Sequence, residues 1–308
     1  MEIKTVAIVG AGALGILLAD TCKNVCKPEE IIFIADENRV KRYQVDGLYC
    51  NGNKLDCSYF TKEQAREVDL LVFAVKANAL EAAITEAAPF VGEKTTIISL
   101  LNGVTSEEII GKTLGEEKII YAVAQGMSAV REGSAVFAQM PGEYRIGIPK
   151  GATEREARLS ALAAFLTKIG YRHTVDEDIL WRMWGKLMLN VGVNQSCMVH
   201  ETDYGGLQRA GAPRETMISA MDETRAVAAS RGIIISEKDR NDYVALLDSL
   251  TPGGMPSMRQ DALAKRLSEV GLFAGTVIAL AEQYGCDVPV NRWLFRRIHE
   301  MEAAYSCN

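Results

Sequence analysis

A chain of 308 residues with 48% hydrophobic and 24% charged residues exceeds what one hydrophobic core usually organises, so two globular domains are expected. A net charge of −6 offers no basic footprint for nucleic acid or an anionic membrane surface. The longest apolar run, 270–281, falls short of the roughly 18 residues of a membrane span. Charge follows Met1 directly, so no signal peptide and a cytoplasmic location are expected.

The first element in chain order is a short apolar strand over 5–9, ending in glycines, with helical spacing over 13–23. Apolar strands follow at 30–36, 69–75 and 95–100, with helix-like stretches at 61–67 and 79–90 between them. Strand–helix alternation of this kind predicts a parallel, doubly wound α/β sheet of Rossmann type. After Lys118 three β-rich runs, 119–130, 134–139 and 144–148, are separated by Arg-Glu-Gly and Pro-Gly-Glu turns. They read as antiparallel strands appended to the sheet edge. From Asp176 onward long helical periods take over, broken at Pro252-Gly253-Gly254 and again at Gly285 with Pro289. The predicted domains are 1–175, dinucleotide-binding, and 176–308, all-helical and supplying the substrate site.

The sharpest motif is Gly10-Ala11-Gly12-Ala13-Leu14-Gly15, which follows a strand and opens a helix. Gly10 suits the tight turn, Gly12 the close approach of backbone to a pyrophosphate, and Gly15 the packing of helix on strand. The helix N-terminus then offers N–H groups and partial positive charge to the phosphates. Asp36, about 20 residues on, ends the second strand where an acidic residue bonds the adenosine ribose hydroxyls. Capping of the next turn is an equally good reading of the same aspartate. Lys76 and Asn102-Gly103 fall at the carboxyl ends of later strands, where open α/β sheets bind ligands.

In the helical half, Lys186, Asn190 and Asn194 are spaced i, i+4, i+8 and form one polar stripe among Leu187, Met188, Leu189, Val191 and Val193. One lysine and two amides are too few for a solvated face. Burying them without partners would cost about 1–3 kcal/mol each, so a cleft wall that meets a polar substrate is expected. Ser257 with Gln260 has the spacing of a capping box, and Glu269 lies four residues after Lys265, as an exposed ion pair would. The seven cysteines (22, 26, 50, 57, 197, 286 and 307) are odd in number and form no CxxC pair. None of the three histidines has zinc-ligand spacing, so reduced thiols and no metal are expected.

With these marks the chain resembles the ketopantoate reductase (2-dehydropantoate 2-reductase) family through almost its whole length. The resemblance rests on Gly10-Ala-Gly-Ala-Leu-Gly15, Val75-Lys76-Ala77, Leu101-Asn102-Gly103, Trp184-Gly-Lys186-Leu with Asn190 and Asn194, Ser257-Met-Arg-Gln-Asp261, and Glu269 with Gly275. It implies NADPH-dependent reduction of the ketone of 2-dehydropantoate to pantoate, for pantothenate biosynthesis. It makes Lys186 the general acid at the ketone oxygen and Glu269 the partner of the substrate hydroxyl. Asn190, Asn194 and Ser257 become hydrogen bonders to substrate, Asn102 lies beside the nicotinamide and the substrate, and Lys76 lies beside the cofactor. The implied partners are a small 2-oxo acid and a second copy of the chain in a homodimer.

The chemistry suits these residue types, because hydride delivery to a C2 ketone builds negative charge that a nearby ammonium stabilises and protonates. Three positions depart from the family pattern. Asp36 stands where the family commonly has arginine for the 2′-phosphate, which points to NADH. Tyr204 replaces an asparagine, and 195–198 (Gln-Ser-Cys-Met) lacks the usual proline or small residues. Against Asp36 stands Arg39, which from a loop would have to fold back to reach a 2′-phosphate. The alternatives are a reductase of another 2-oxo acid and a non-enzymatic dinucleotide sensor.

Overall fold

The computed structural model describes residues 1–307, and the side chains of Ser306 and Cys307 lie outside what is described. The chain divides into two compact units. The first holds Met1–Leu101 and Thr105–Ile179, and the second holds Asn102–Val104 with Leu180–Asn308.

The first unit begins with β1 (Val6–Val9), α1 (Ala13–Cys22), β2 (Ile31–Ile34), α2 (Glu37–Asp46), β3 (Tyr49–Cys50), β4 (Asn53–Lys54) and β5 (Ser58–Phe60). It continues with β6 (Leu70–Phe73), α3 (Leu80–Ala87), β7 (Thr96–Ser99), α4 (Ser106–Leu114), β8 (Tyr121–Glu132), β9 (Ala135–Gly147), α5 (Glu156–Lys168) and β10 (His173–Val175). One sheet has the order β5-β2-β1-β6-β7 and every pairing in it is parallel. Strands β1, β2, β6 and β7 are buried along their whole length, as a parallel sheet covered on both faces requires. Period-2 alternation sends Val6 and Ile8 into one core and Ala7 and Val9 into the other.

Several elements differ from the sequence reading. The stretch 61–67 is no helix: β5 pairs with β2 just before it, and only a single 3₁₀ turn, Lys62–Gln64, follows. Phe60 and Tyr59 find partners in the sheet, which outweighs the helical appearance of the charged residues after them. The runs 134–139 and 144–148 are one strand, β9, antiparallel to β8. This hairpin lies in a second sheet with β10, β3 and β4, and Ile119, just ahead of it in the chain, makes an isolated bridge with Ile97 of the parallel sheet. The core of that face joins Ile8, Ile16 and Leu18 to Val136, Tyr144 and Ile146.

The second unit is helical among its described residues: α6 (Ile179–Val199), α7 (Tyr204–Gln208), α8 (Ala212–Ser230), α9 (Glu237–Asp248), α10 (Ser257–Leu263), α11 (Thr276–Tyr284) and α12 (Pro289–Ala303). A single π-helical turn, Gly271–Gly275, leads into α11. Helix α12 is tied to α8 at its N-terminus, where the Glu223 carboxylate accepts from Val290 N at 2.7 Å and Asn291 N at 2.8 Å. Orphan donors of that kind need an acceptor, and a carboxylate also suits the helix dipole. Among the described residues no helix is long and apolar enough to cross a membrane.

Candidate active site

In the first unit the glycine motif forms the turn between β1 and α1. Gly10 has φ +108°, and a side chain at Gly15 would collide with the Gly10 carbonyl oxygen. Both are therefore demanded by the fold itself. Gly12 is different, because an added Cβ would stand 3.5 Å from the Ala74 carbonyl oxygen, an ordinary contact, and φ there is −84°. Packing does not require glycine at this position, whereas close approach by a dinucleotide pyrophosphate does. Gly12 is the N-cap of α1, with no side chain capping the helix and no acidic residue in its first turn. The residues present fit a dinucleotide phosphate group: Ala11, Ala13 and Leu14 fill the turn around that approach. Lys76 is exposed at the end of β6, capping the 3₁₀ turn Ala77–Ala79.

Asp36 caps α2. Its Oδ1 accepts from Arg39 N at 2.9 Å, and its Oδ2 lies 3.3 Å from Arg39 Nε. Arg39 thus belongs to the first turn of a helix and not to a loop, which corrects the sequence reading. The aspartate that ends the strand is the start signal for the helix. Beside it runs an open groove of about 560 Å³, lined by Val40, Lys41, Thr61, Lys62 and Gln64 among others. Its lysines are paired with acids, Lys41 with Glu37 at 2.6 Å and Lys62 with Glu86 at 3.2 Å.

The second unit brings together every other candidate named above. Lys186 on α6 donates from Nζ to Asn102 Oδ1 at 3.1 Å, and Asn102 donates from Nδ2 to Glu269 Oε2 at 3.0 Å. One amide therefore bridges an ammonium and a carboxylate. Gly103, at φ +101°, turns the chain directly after Asn102, and a side chain there would come within 2.9 Å of Leu272 Cδ2. The dense surroundings of the Lys186 ammonium pull its pKa down to about 8, with the Glu269 charge acting in the opposite direction.

Further along the stripe, Asn194 Nδ2 donates to Asn190 Oδ1 at 3.4 Å. Asn194 Oδ1 accepts from Ser257 Oγ at 3.1 Å and from Met258 N at 3.2 Å. Ser257 is therefore not the N-cap. Pro256 holds that position, and the hydroxyl reaches across to α6 because a buried amide oxygen competes for it more strongly than the local turn. Glu269 does not lie within a helix either. Lys265, at φ +52°, closes the chain after α10, and Glu269 stands just ahead of the π-helical turn.

Sequence reading missed the fixings of that segment. Ser268 N donates to Glu302 Oε1 at 2.7 Å, and Ala274 N donates to Gln195 Oε1 at 3.2 Å. Gln195 carried a signal, as a third amide beside Asn190 and Asn194 in a largely apolar helix. Among the described residues no group of side chains has the make-up of a metal site, and the described cysteines are free thiols.

Residues 6–151 match the family described as ketopantoate reductase PanE/ApbA, and residues 178–302 match ketopantoate reductase PanE/ApbA C terminal. A 2-dehydropantoate 2-reductase of Archaeoglobus fulgidus is 26% identical over 304 residues, covering 98% of this chain and 99% of its own. Among solved structures, a PanE/ApbA family ketopantoate reductase from Ralstonia eutropha JMP134 superposes with a TM-score of 0.81 at 24% identity, covering 98% of this chain and 99% of that one. D-mandelate dehydrogenase, solved with NADH and anilino(oxo)acetate, gives a TM-score of 0.82 at 23% identity with the same coverage. With the fold, the glycine turn and a family match over both units, the chain belongs to the ketopantoate reductase family of NAD(P)-dependent oxidoreductases.

Proposed function

We propose that this chain reduces the ketone of 2-dehydropantoate to give pantoate. The observation that carries the reading is the bridge from Lys186 through Asn102 to Glu269, an ammonium and a carboxylate held at opposite ends of one amide. When bound, the dinucleotide supplies the hydride that reduces the C2 carbon. Negative charge then grows on the former ketone oxygen, where Lys186 stabilises it and passes it a proton from Nζ. A lysine with a pKa near 8 is a better acid than an ordinary one and is still protonated at neutral pH. Glu269 accepts from the substrate hydroxyl, while Asn190, Asn194 and Ser257 orient the substrate's polar groups. Lys76 and the 10–15 turn serve the dinucleotide.

A related 2-oxo acid is the second reading. Tyr204 favours it, since its ring packs where any side chain at Gly254 would come within 2.9 Å, a few residues from Ser257. The mandelate dehydrogenase likeness points the same way. For the cofactor, we infer that NADH is accepted at least as well as NADPH. An Asp36 carboxylate bonded to the ribose hydroxyls would repel a 2′-phosphate, and Arg39, Lys41 and Lys62 are each already paired with an acid.

The test is Lys186→Met with 2-dehydropantoate and a panel of other 2-oxo acids. Turnover should fall by roughly 10²–10⁴, the worth of a general acid, with dinucleotide affinity kept. Near wild-type turnover in the variant would remove Lys186 from the mechanism. A wild type that prefers another 2-oxo acid would replace the substrate.

A further inference from the structure

The π-helical turn after Glu269 has an unusual dependence on one side chain of another helix. Leu272 N and Phe273 N reach back to the Glu269 carbonyl at 2.9 and 3.2 Å, and Gly275 N reaches the Val270 carbonyl at 3.0 Å. Between them, Ala274 N donates instead to Gln195 Oε1 at 3.2 Å. Ala274 and Gln195 are both fully buried. Gln195 Nε2 in turn donates to the Val191 carbonyl at 2.8 Å, so both ends of its amide are engaged. A π-turn carries one more residue than an α-turn, and its displaced backbone donor must find an acceptor elsewhere. Gln195 supplies that acceptor.

The consequence falls on Glu269. The C-terminal side of the turn continues into α11, anchored by buried Val277 and Ala281. The N-terminal side is held where Ser268 N meets Glu302. Glu269 stands between these two fixings, and its carboxylate is the far end of the Lys186–Asn102 bridge. Without an acceptor for Ala274 N, closing the turn to α geometry satisfies that donor. The change of register rotates the residues ahead of it by about 100° around the helix axis.

We propose that Gln195 is a positioning residue: by holding the π-turn open through Ala274 N, it aims the Glu269 carboxylate at Asn102 and the substrate. No role in contacting substrate or cofactor is assigned to it.

The experiment compares wild type, Gln195→Met and Gln195→Glu. Gln195→Met keeps length and burial but offers no acceptor. The KM for the 2-oxo acid should rise about tenfold, the effect of losing one oriented hydrogen bond, while dinucleotide Kd stays within about twofold. This half rests on the function proposed above. The other half needs no turnover: the Lys186 ammonium is titrated by NMR of its ¹⁵N-labelled side chain. Withdrawal of Glu269 removes the charge that supports the ammonium, so the Lys186 midpoint drops in Gln195→Met. In Gln195→Glu the protonated carboxyl mimics the amide, donating to Val191 and accepting from Ala274 N. Ionised, the carboxylate still accepts from Ala274 N, so that variant should keep the wild-type KM and its Lys186 midpoint should not fall. If Gln195→Met fails to fold, Gln195→Glu alone decides, because it keeps the acceptor and the Lys186 midpoint must then hold. A Lys186 midpoint that stays at the wild-type value in Gln195→Met, or that falls in Gln195→Glu, overturns the proposal. A wild type inactive on every 2-oxo acid counts against the function alone, because the titration still decides Gln195.

Discussion

Replacing Glu269 with glutamine should shift the alkaline limb of the pH profile to lower pH. The substitution keeps an acceptor for Asn102 Nδ2 but removes the negative charge. As the proposed general acid, Lys186 must hold its proton, so activity is present below its pKa and lost as pH rises through it. For the free wild-type enzyme that value is about 8, set by burial pulling it down against Glu269 holding it up. The two charges are separated by one amide, with legs of 3.1 and 3.0 Å. At roughly 6 Å the pair is worth about 0.7 kcal/mol in bulk water and about 3 kcal/mol at an effective dielectric near 20. At 1.36 kcal/mol per unit, the limb should move down by about 0.5–2 pH units. The assay is kcat/KM across pH 6–10, because this ratio reports the free enzyme's groups. The height of the profile will also fall, and that is immaterial to the test. A limb that stays in place, or moves to higher pH, would show that the acid is not Lys186 or that Glu269 does not act on it.

Three other outcomes follow from the same geometry. Gly12→Ala should melt close to wild type, since its Cβ meets an ordinary contact at 3.5 Å, yet lose dinucleotide affinity by tenfold or more in a fluorescence titration. Asp36→Ala should raise the NADPH-to-NADH ratio of kcat/KM and also lower Tm, because the carboxylate that caps α2 is worth about 1 kcal/mol. A wild type already preferring NADPH tenfold, with no further gain in Asp36→Ala, would mean that Arg39 governs the choice. Lys186→Met should raise stability at neutral pH by about 2 kcal/mol, the lowered pKa discounted for the side chain's partial exposure. The sign follows from proton counts. Between about pH 8 and 10.5 the unfolded lysine holds a proton that the folded one has lost, so wild-type stability rises across that window. Denaturation midpoints that show no such rise in wild type, or that fall in Lys186→Met, would contradict the burial argument.

Parts of this molecule were legible in the sequence because they are local. The glycine turn is contiguous with the strand before it and the helix after it, so spacing alone identifies the motif. The stripe Lys186, Asn190 and Asn194 follows from helical period. Asp36 was legible twice over, as a strand end and as a cap, and the cap is the role filled within the chain. Helix α2 escaped notice because only Val40 and Tyr43 of its ten residues are buried, which leaves almost no apolar period to read. Ser257 misled for a related reason. Its capping-box spacing is a local rule, and the competing acceptor, Asn194 Oδ1, lies 63 residues away in sequence.

The bridge itself could not be read from any window of sequence. Asn102 belongs by sequence to the end of a Rossmann strand, yet the three-residue segment Asn102–Val104 packs with the helical unit. Its two partners lie 84 and 167 residues away. An asparagine is suited to that place because its amide presents an acceptor to the ammonium and a donor to the carboxylate. Aspartate would repel Glu269, and a lysine or arginine would repel Lys186. The same logic recurs at Gln195, where an amide again faces a donor on one side and an acceptor on the other. In the Asn102 bridge, a neutral side chain with two-sided hydrogen bonding thus stands between one half-buried cation and one carboxylate. That spacing suits the proton transfer proposed for Lys186, because a direct pair with Glu269 would hold its pKa higher.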